Sequence, residues 1–155
     1  MKRVPANAGV AIAEFALVLP LLVLVFMGIV ETGRLTYFSI VTSNAAHAGA
    51  AYGSQSLYTV TQGGNMQAAA LADAQHLSQI TIPTATYLCQ CTNGTTATAV
   101  ACTQTACSSG YRRAVYAQVT AHALVYTLFD YHALGIPYPW TFSRTATIRV
   151  QGDTQ

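Results

Sequence analysis

Four cysteines are the residues of this chain whose type and spacing indicate chemistry most directly. Cys89 and Cys91 are separated by one residue, and Cys102 and Cys107 follow in the same region. An even number of cysteines favours disulfide bonds in a chain that reaches an oxidising compartment. Four cysteines can also hold a tetrahedral zinc ion, although this spacing is not that of a usual zinc ribbon. The sequence therefore favours two disulfides and leaves zinc as the rival interpretation.

The segment between the cysteines predicts how they pair. A hairpin that turns around residues 93–94 or in the polar stretch that follows favours the pairing of Cys91 with Cys102. Cys89 and Cys107 then form the outer bridge of a nested arrangement. Each bridge closes a short loop and adds on the order of 3 kcal/mol to the free energy of unfolding.

No arrangement of residues in the sequence indicates catalysis. Gly63 and Gly64 lack the lysine that a phosphate-binding loop requires. The four histidines are far apart and show no metal-ligand spacing. Of the five acidic residues, Glu14 lies in an apolar stretch, so few remain for acid–base chemistry. We therefore predict no enzyme activity, no cofactor, no metal and no catalytic residue.

The charge of the chain excludes a nucleic-acid-binding surface. Apolar residues make up 52% of the chain and charged residues only 8%, whereas charged residues are about a quarter of a soluble domain. The formal net charge is +2. Beyond the N-terminus the only basic pair is Arg112 and Arg113, which falls far short of a phosphate-binding stripe. We therefore predict no nucleic-acid partner.

Residues 10–30 form an apolar stretch whose only charged side chain is Glu14. As a helix this stretch is about 31 Å long, roughly the hydrocarbon thickness of a bilayer. A buried core helix can be equally apolar, but the rest of this chain is too small to surround one. Lys2 and Arg3 precede the stretch, which predicts a cytoplasmic N-terminus. We therefore predict a transmembrane helix over residues 10–30 and an exported domain over residues 31–155.

The sequence around the start of this stretch resembles a known family. Gly9 is followed at the fifth position by Glu14, and this pattern is similar to a prepilin peptidase site. The resemblance continues through residues 13–20, 28–35 and 44–50. Together these segments resemble the N-terminal region of TadE-like proteins, the pseudopilins of tight-adherence pilus systems.

The resemblance implies a processed membrane protein that acts by assembly. Residues 1–9 would be a prepilin-type leader, cut between Gly9 and Val10, and Glu14 and Phe15 would serve assembly. The chain would be a minor pilin or pseudopilin of the bacterial inner membrane, with its C-terminal domain periplasmic or extracellular. Its partners would be the prepilin peptidase, other pilins or pseudopilins, the pilus assembly platform and the lipid bilayer. The alternatives are an uncleaved single-pass anchor for a binding domain, and a structural subunit of a pilus-like filament.

The physical chemistry of Glu14 supports assembly independently. An ionised carboxylate in the apolar region costs about 2.5–3.5 kcal/mol, so it needs a partner. Cleavage after Gly9 would create an amine on Val10, and the amine of a neighbouring subunit could neutralise Glu14. Alternatively, Glu14 lies near the cytoplasmic interface and reaches water without any assembly.

Pro20 lies inside the same helical stretch and removes one backbone donor there. We predict a kink or a locally melted turn, which neighbouring helices can cover. This feature either serves packing alone or lets the helix adapt as it leaves the bilayer.

The patterns beyond the apolar stretch predict an α+β domain. Ala45, Gly49 and Gly53 form a row of small residues on one helix face, and such a row lets another backbone approach closely. We expect this face to pack on the chain's own sheet, with a neighbouring helix as the alternative. The helix is predicted to extend over residues 31–53, with a second helix over 65–79 and strands over 81–91, 111–128 and 141–151. The predicted architecture is pilin-like, with a long N-terminal helix packed on a small antiparallel sheet.

Overall fold

The structure is a computed structural model. It describes residues 7–75, 77–104, 106–128, 135 and 139–151. The helices are α1 (Asn7–Ser54), a short 3-10 helix (Thr59–Thr61) and α2 (Gly63–Asp73). The strands are β1 (Ile80–Thr92), β2 (Ala97–Val100), β3 (Arg112–Val125) and β4 (Trp140–Arg149). The chain divides into one unit that ends at Thr36 and a second that begins at Tyr37. The second unit is a long helix packed on a four-stranded antiparallel sheet, so the predicted α+β fold class is confirmed.

The sheet has the strand order β2-β1-β3-β4, and every neighbouring pair is antiparallel. β3 occupies the interior of the sheet because both of its edges are paired. Every second side chain of β3 from Val115 to Val125 is buried, since successive residues of a strand point to opposite faces. Val119 lies between Ala85 of β1 and Ala146 of β4. Small and β-branched residues therefore form one continuous apolar face.

The C-terminal part of α1 covers this apolar face. The buried residues of α1 beyond Tyr37 recur at helical spacing, and they are Phe38, Thr42, Ala45, Ala46, Gly49, Ala50, Gly53 and Ser54. The buried hydroxyl of Thr42 donates a hydrogen bond of 2.6 Å to the carbonyl of Phe38. Arg144 of β4 donates a bond of 2.8 Å to the hydroxyl of Ser39. The helix is thus joined to the sheet by apolar packing and by a polar contact at its side.

The row of small residues on α1 packs inside this unit, as the sequence predicts. A Cβ placed on Gly49 would lie 2.7 Å from the Met66 carbonyl oxygen and 3.2 Å from a Val119 methyl group. A Cβ placed on Gly53 would lie 2.9 Å from the Cβ of Ala117. These two glycines therefore let α1 approach both α2 and β3 more closely than any other residue would.

We expect Gly49→Ala to lower the free energy of unfolding by about 1–3 kcal/mol, because the new methyl group meets backbone that cannot rotate away. Gly64→Ala is the matched control, since nothing lies within 4 Å of a Cβ at Gly64. The control should be neutral or stabilising by up to about 1 kcal/mol. Circular dichroism of the detergent-solubilised full chain during urea unfolding measures both variants. Equal stability of the two variants would contradict the close approach.

Two elements differ from the sequence-based expectation. The second helix ends at Asp73 rather than near residue 79, because the chain turns there to enter β1. In this turn the Leu77 amide donates to the Ala74 carbonyl (2.9 Å), and the Ile80 amide donates to the Leu77 carbonyl (3.2 Å). β2 was not predicted, because its short run of mostly exposed residues shows no apolar alternation.

Candidate functional site

Residues 10–30 of α1 form an exposed apolar segment. Every side chain in it is exposed except that of Met27, which is half-buried. Leu17 is 82% exposed and Phe15 is 60% exposed. A helix in water does not leave large apolar side chains exposed over this length unless a lipid or protein partner covers them. α1 is the one helix in the described part of the chain that is long and apolar enough to cross a membrane, judged by length and composition.

Glu14 is the only charged side chain of this segment, and it is exposed. It lies four residues after Val10 in a continuous helix, so the two residues share one helix face. Among residues 10–36, the ion pair that the structure shows joins Glu31 to Arg34 at 3.5 Å and does not involve Glu14. Glu14 thus presents a carboxylate to the surroundings of the helix.

The predicted processing site lies at the start of α1. Gly9 and Val10 both fall within this helix, which begins at Asn7. Residues 1–6 of the predicted leader lie outside the described residues, and so do Lys2 and Arg3 among them. The cleavage between Gly9 and Val10 stays a prediction.

Pro20 does not interrupt α1, which is a single helix from Asn7 to Ser54. Because proline has no backbone N–H, the carbonyl of Ala16 loses its helical donor. Three threonine hydroxyls add hydrogen bonds within this helix. Thr32, Thr36 and Thr42 each donate their hydroxyl to the carbonyl four residues earlier, so these hydroxyls are satisfied within the helix.

Two disulfides join the cysteines, and the nested pairing predicted above is wrong. Cys89 is bonded to Cys102 and Cys91 to Cys107. The cause is the register of the hairpin, in which Cys89 lies opposite Val100 at the end of β2. Cys102 leaves the sheet just beyond that point and therefore meets Cys89.

The following loop then returns along β1, and Cys107 meets Cys91. Arg113 holds this loop from β3, because its Nη2 donates a bond of 2.9 Å to the Cys102 carbonyl. This role of Arg113 has no signal in the sequence, because it depends on the register that places Arg113 opposite Cys91.

The disulfides remove the basis for the rival zinc site. None of the four cysteines is free. Within the described ranges, no group of three or more histidine, cysteine, aspartate or glutamate side chains could hold a metal ion. The described residues therefore offer an exposed apolar segment and a cross-linked sheet as the surfaces on which function could depend.

Comparison with known proteins gives a match that includes the exposed apolar segment. Residues 9–51 match the protein family described as TadE-like protein, which confirms the resemblance inferred from the sequence. The matched segment lies within α1, begins at Gly9 and includes Glu14. It relates the N-terminal helix to a pilus-associated structural family. No curated protein and no solved structure matches the chain.

Proposed function

We propose that this chain is a minor pilin or pseudopilin of a tight-adherence pilus assembly or secretion system and that it acts by assembly. The observation that carries the proposal is the segment over residues 10–30, which is apolar and exposed and holds a single carboxylate at Glu14. The same segment lies within the match to the TadE-like family. An exposed apolar helix needs a lipid or protein environment, and a pilus subunit uses both in turn.

In the proposed route the chain is first a single-pass protein of the bacterial inner membrane. Its N-terminus is cytoplasmic and its domain over residues 31–155 is exported. A prepilin peptidase cuts the bond between Gly9 and Val10, which releases the leader and leaves a new amine on Val10. The apolar helix stays on the mature chain.

During assembly two charged groups, each unfavourable in apolar surroundings, pair with each other. The amine on Val10 of one subunit approaches the carboxylate of Glu14 on its neighbour. Each group alone is costly in the hydrocarbon region, and pairing offsets that cost. Phe15 adds an exposed ring beside the carboxylate, and Pro20 leaves a weakened turn that lets helices adjust their packing. The expected partners are other pilins or pseudopilins and the assembly platform.

The processing step is tested by Gly9→Leu, which places a bulky side chain at the proposed cleavage bond. Gly28→Leu is the matched control, since it makes the same exchange in the same helix and nothing lies within 4 Å of a Cβ there. After co-expression with a prepilin peptidase, the wild type and the control should begin at Val10, with masses lower by that of residues 1–9. Gly9→Leu should keep the leader.

Intact-mass measurement and N-terminal sequencing distinguish the outcomes. A wild-type chain that keeps its leader in the presence of an active peptidase contradicts the proposal. That result would favour an uncleaved membrane anchor that carries a binding domain. A processed chain that dominates sheared surface filaments would instead identify a structural filament subunit.

A further inference from the structure

The two disulfides of the sheet interleave along the chain. The cysteines follow one another in the order Cys89, Cys91, Cys102 and Cys107. The first is bonded to the third and the second to the fourth. Cys89 and Cys91 belong to β1, whereas the other two cysteines lie beyond β2. Each native bond therefore passes over the cysteine that is nearest in the chain.

Loop closure in the unfolded chain favours other bonds. Cys102 and Cys107 are five residues apart, whereas the native bonds span separations of 13 and 16. The frequency with which two residues meet falls with about the 3/2 power of their separation, so Cys102 meets Cys107 roughly four- to six-fold more often than either native pair meets. This short bond excludes both native bonds and leaves Cys89 and Cys91 as a second misplaced pair.

The strand that fixes the native register follows all four cysteines in the chain. The hairpin of β1 and β2 has only four residue pairs, and an isolated two-stranded hairpin is marginally stable. β3 pairs with β1 from Ile80 to Thr92, but it begins only at Arg112. A chain made from its N-terminus therefore presents four thiols before the strand that holds β1 in register is present.

The side chain that holds the first native bridge also comes from β3. Nη2 of Arg113 donates a bond of 2.9 Å to the Cys102 carbonyl and lies 3.7 Å from the Cys89 sulfur. Charge-assisted hydrogen bonds of this kind are strong and directional. No described residue between Val100 and Arg112 belongs to a strand, so Arg113 orders a loop that has no ladder of its own. The native pairing is thus stabilised by β3, although loop closure favours another pairing.

The finished fold leaves little access to the cysteines of β1. Cys89 is 2% exposed and Cys91 is 7% exposed. Cys89 lies opposite Val115, on the apolar sheet face that α1 covers. Because thiol–disulfide exchange needs access of a thiolate to a sulfur atom, misplaced bonds have to be exchanged before this face is covered.

We propose that this chain is a substrate of a thiol–disulfide isomerase, a partner whose active-site thiolate exchanges with the disulfides of a folding chain. The interleaved pairing, the short competing loop and the late position of β3 together require that misplaced bonds be replaced. This inference goes beyond the proposed pilin role, and its test depends neither on cleavage after Gly9 nor on assembly.

Three exchanges convert the misplaced pairs into the native ones. The isomerase thiolate attacks the Cys102–Cys107 bond, forms a mixed disulfide with Cys102 and releases the thiolate of Cys107. The Cys107 thiolate attacks Cys91 in the Cys89–Cys91 bond, which forms the native Cys91–Cys107 bond and releases the thiolate of Cys89. The Cys89 thiolate then attacks Cys102 in the mixed disulfide and returns the isomerase thiolate. The number of disulfides is unchanged, so no oxidant is consumed.

The test starts from the full chain, oxidised while it is unfolded in urea, in which the bond between Cys102 and Cys107 should predominate. This material is diluted into detergent with a trace of reduced glutathione, with and without purified protein disulfide isomerase. Samples are quenched by alkylation, and peptide mass spectrometry identifies the bonds. The native pairing should appear about ten-fold or more faster with the isomerase than without it.

Two variants that can form only one bond are the controls. Cys89→Ser with Cys102→Ser leaves one native pair, and Cys91→Ser with Cys107→Ser leaves the other. After oxidation in urea, at least one of them should recover the circular dichroism spectrum of the native domain without the isomerase, since it holds no misplaced bond. Three results would overturn the proposal: native pairing already predominant in urea, equal rates with and without the isomerase, or two controls that both recover only when the isomerase is present.

Discussion

Glu14→Gln should leave cleavage after Gly9 intact and lower the incorporation of the mature chain into pilus complexes by at least about ten-fold. The substitution keeps the size of the side chain and removes its charge. The amine on Val10 of the neighbouring subunit then has no counter-ion in an apolar environment. An uncompensated charge there costs about 2.5–3.5 kcal/mol, and about 1.4 kcal/mol already corresponds to ten-fold in an equilibrium constant.

Glu14→Asp is the control for this prediction, because it keeps the charge and shortens the side chain by one methylene group. It should assemble much better than Glu14→Gln. Cross-linking in membranes followed by quantification of the assembled fraction measures both variants, and intact mass verifies that each is cleaved. If Glu14→Gln assembles as the wild type does, the carboxylate reaches water near the cytoplasmic interface and has no role in pairing.

The second large effect concerns the cross-linked sheet. Removal of the Cys89–Cys102 disulfide by Cys89→Ala together with Cys102→Ala should lower the free energy of unfolding by about 3 kcal/mol. Its Tm should fall on the order of 10 °C. The bridge closes a loop with a sequence separation of 13, and Cys89 is 2% exposed in the core. Thermal unfolding without reductant, compared with the wild type, gives both values.

A single substitution tests the pairing itself. Cys89→Ala alone leaves one free thiol, which lies on Cys102 in the observed pairing and on Cys107 in a nested pairing. Alkylation of the unreduced variant followed by peptide mass spectrometry identifies the labelled residue. Label on Cys107 would contradict the observed connectivity, and Cys91→Ala, which should expose Cys107 instead, is the control.

The sequence predicted those features that depend on local patterns. The apolar stretch over residues 10–30 is continuous and the apolar face of β3 alternates over many residues, so both patterns can be recognised without any tertiary information. The row that includes Gly49 was predicted to pack inside the domain, and contacts with Met66 and Val119 confirm it. The α+β fold class follows from these patterns together.

Features that depend on strand register could not be predicted in the same way. The disulfide pairing depends on whether Val100 or a later residue lies opposite Cys89, and no local pattern in the sequence specifies this. Arg112 at the start of β3 and Arg149 at the end of β4 line one cavity, although both strands and the loop between them separate these two residues along the chain. Nothing in the spacing of the two arginines indicates that they meet, since the pairing of β3 with β4 decides it.

The packing of α1 inside the second unit has a mechanical consequence. Its residues 38–54 form part of the core of the second unit, so tension applied along the helix axis is resisted by shear between α1 and the sheet. The close contacts of Gly49 and Gly53 oppose sliding along that axis. The two disulfides lie on β1 and the loop after β2 and therefore carry little of this load. Under traction we therefore expect the fit of the helix against β3, and not the two disulfides, to set the force at which the domain unfolds.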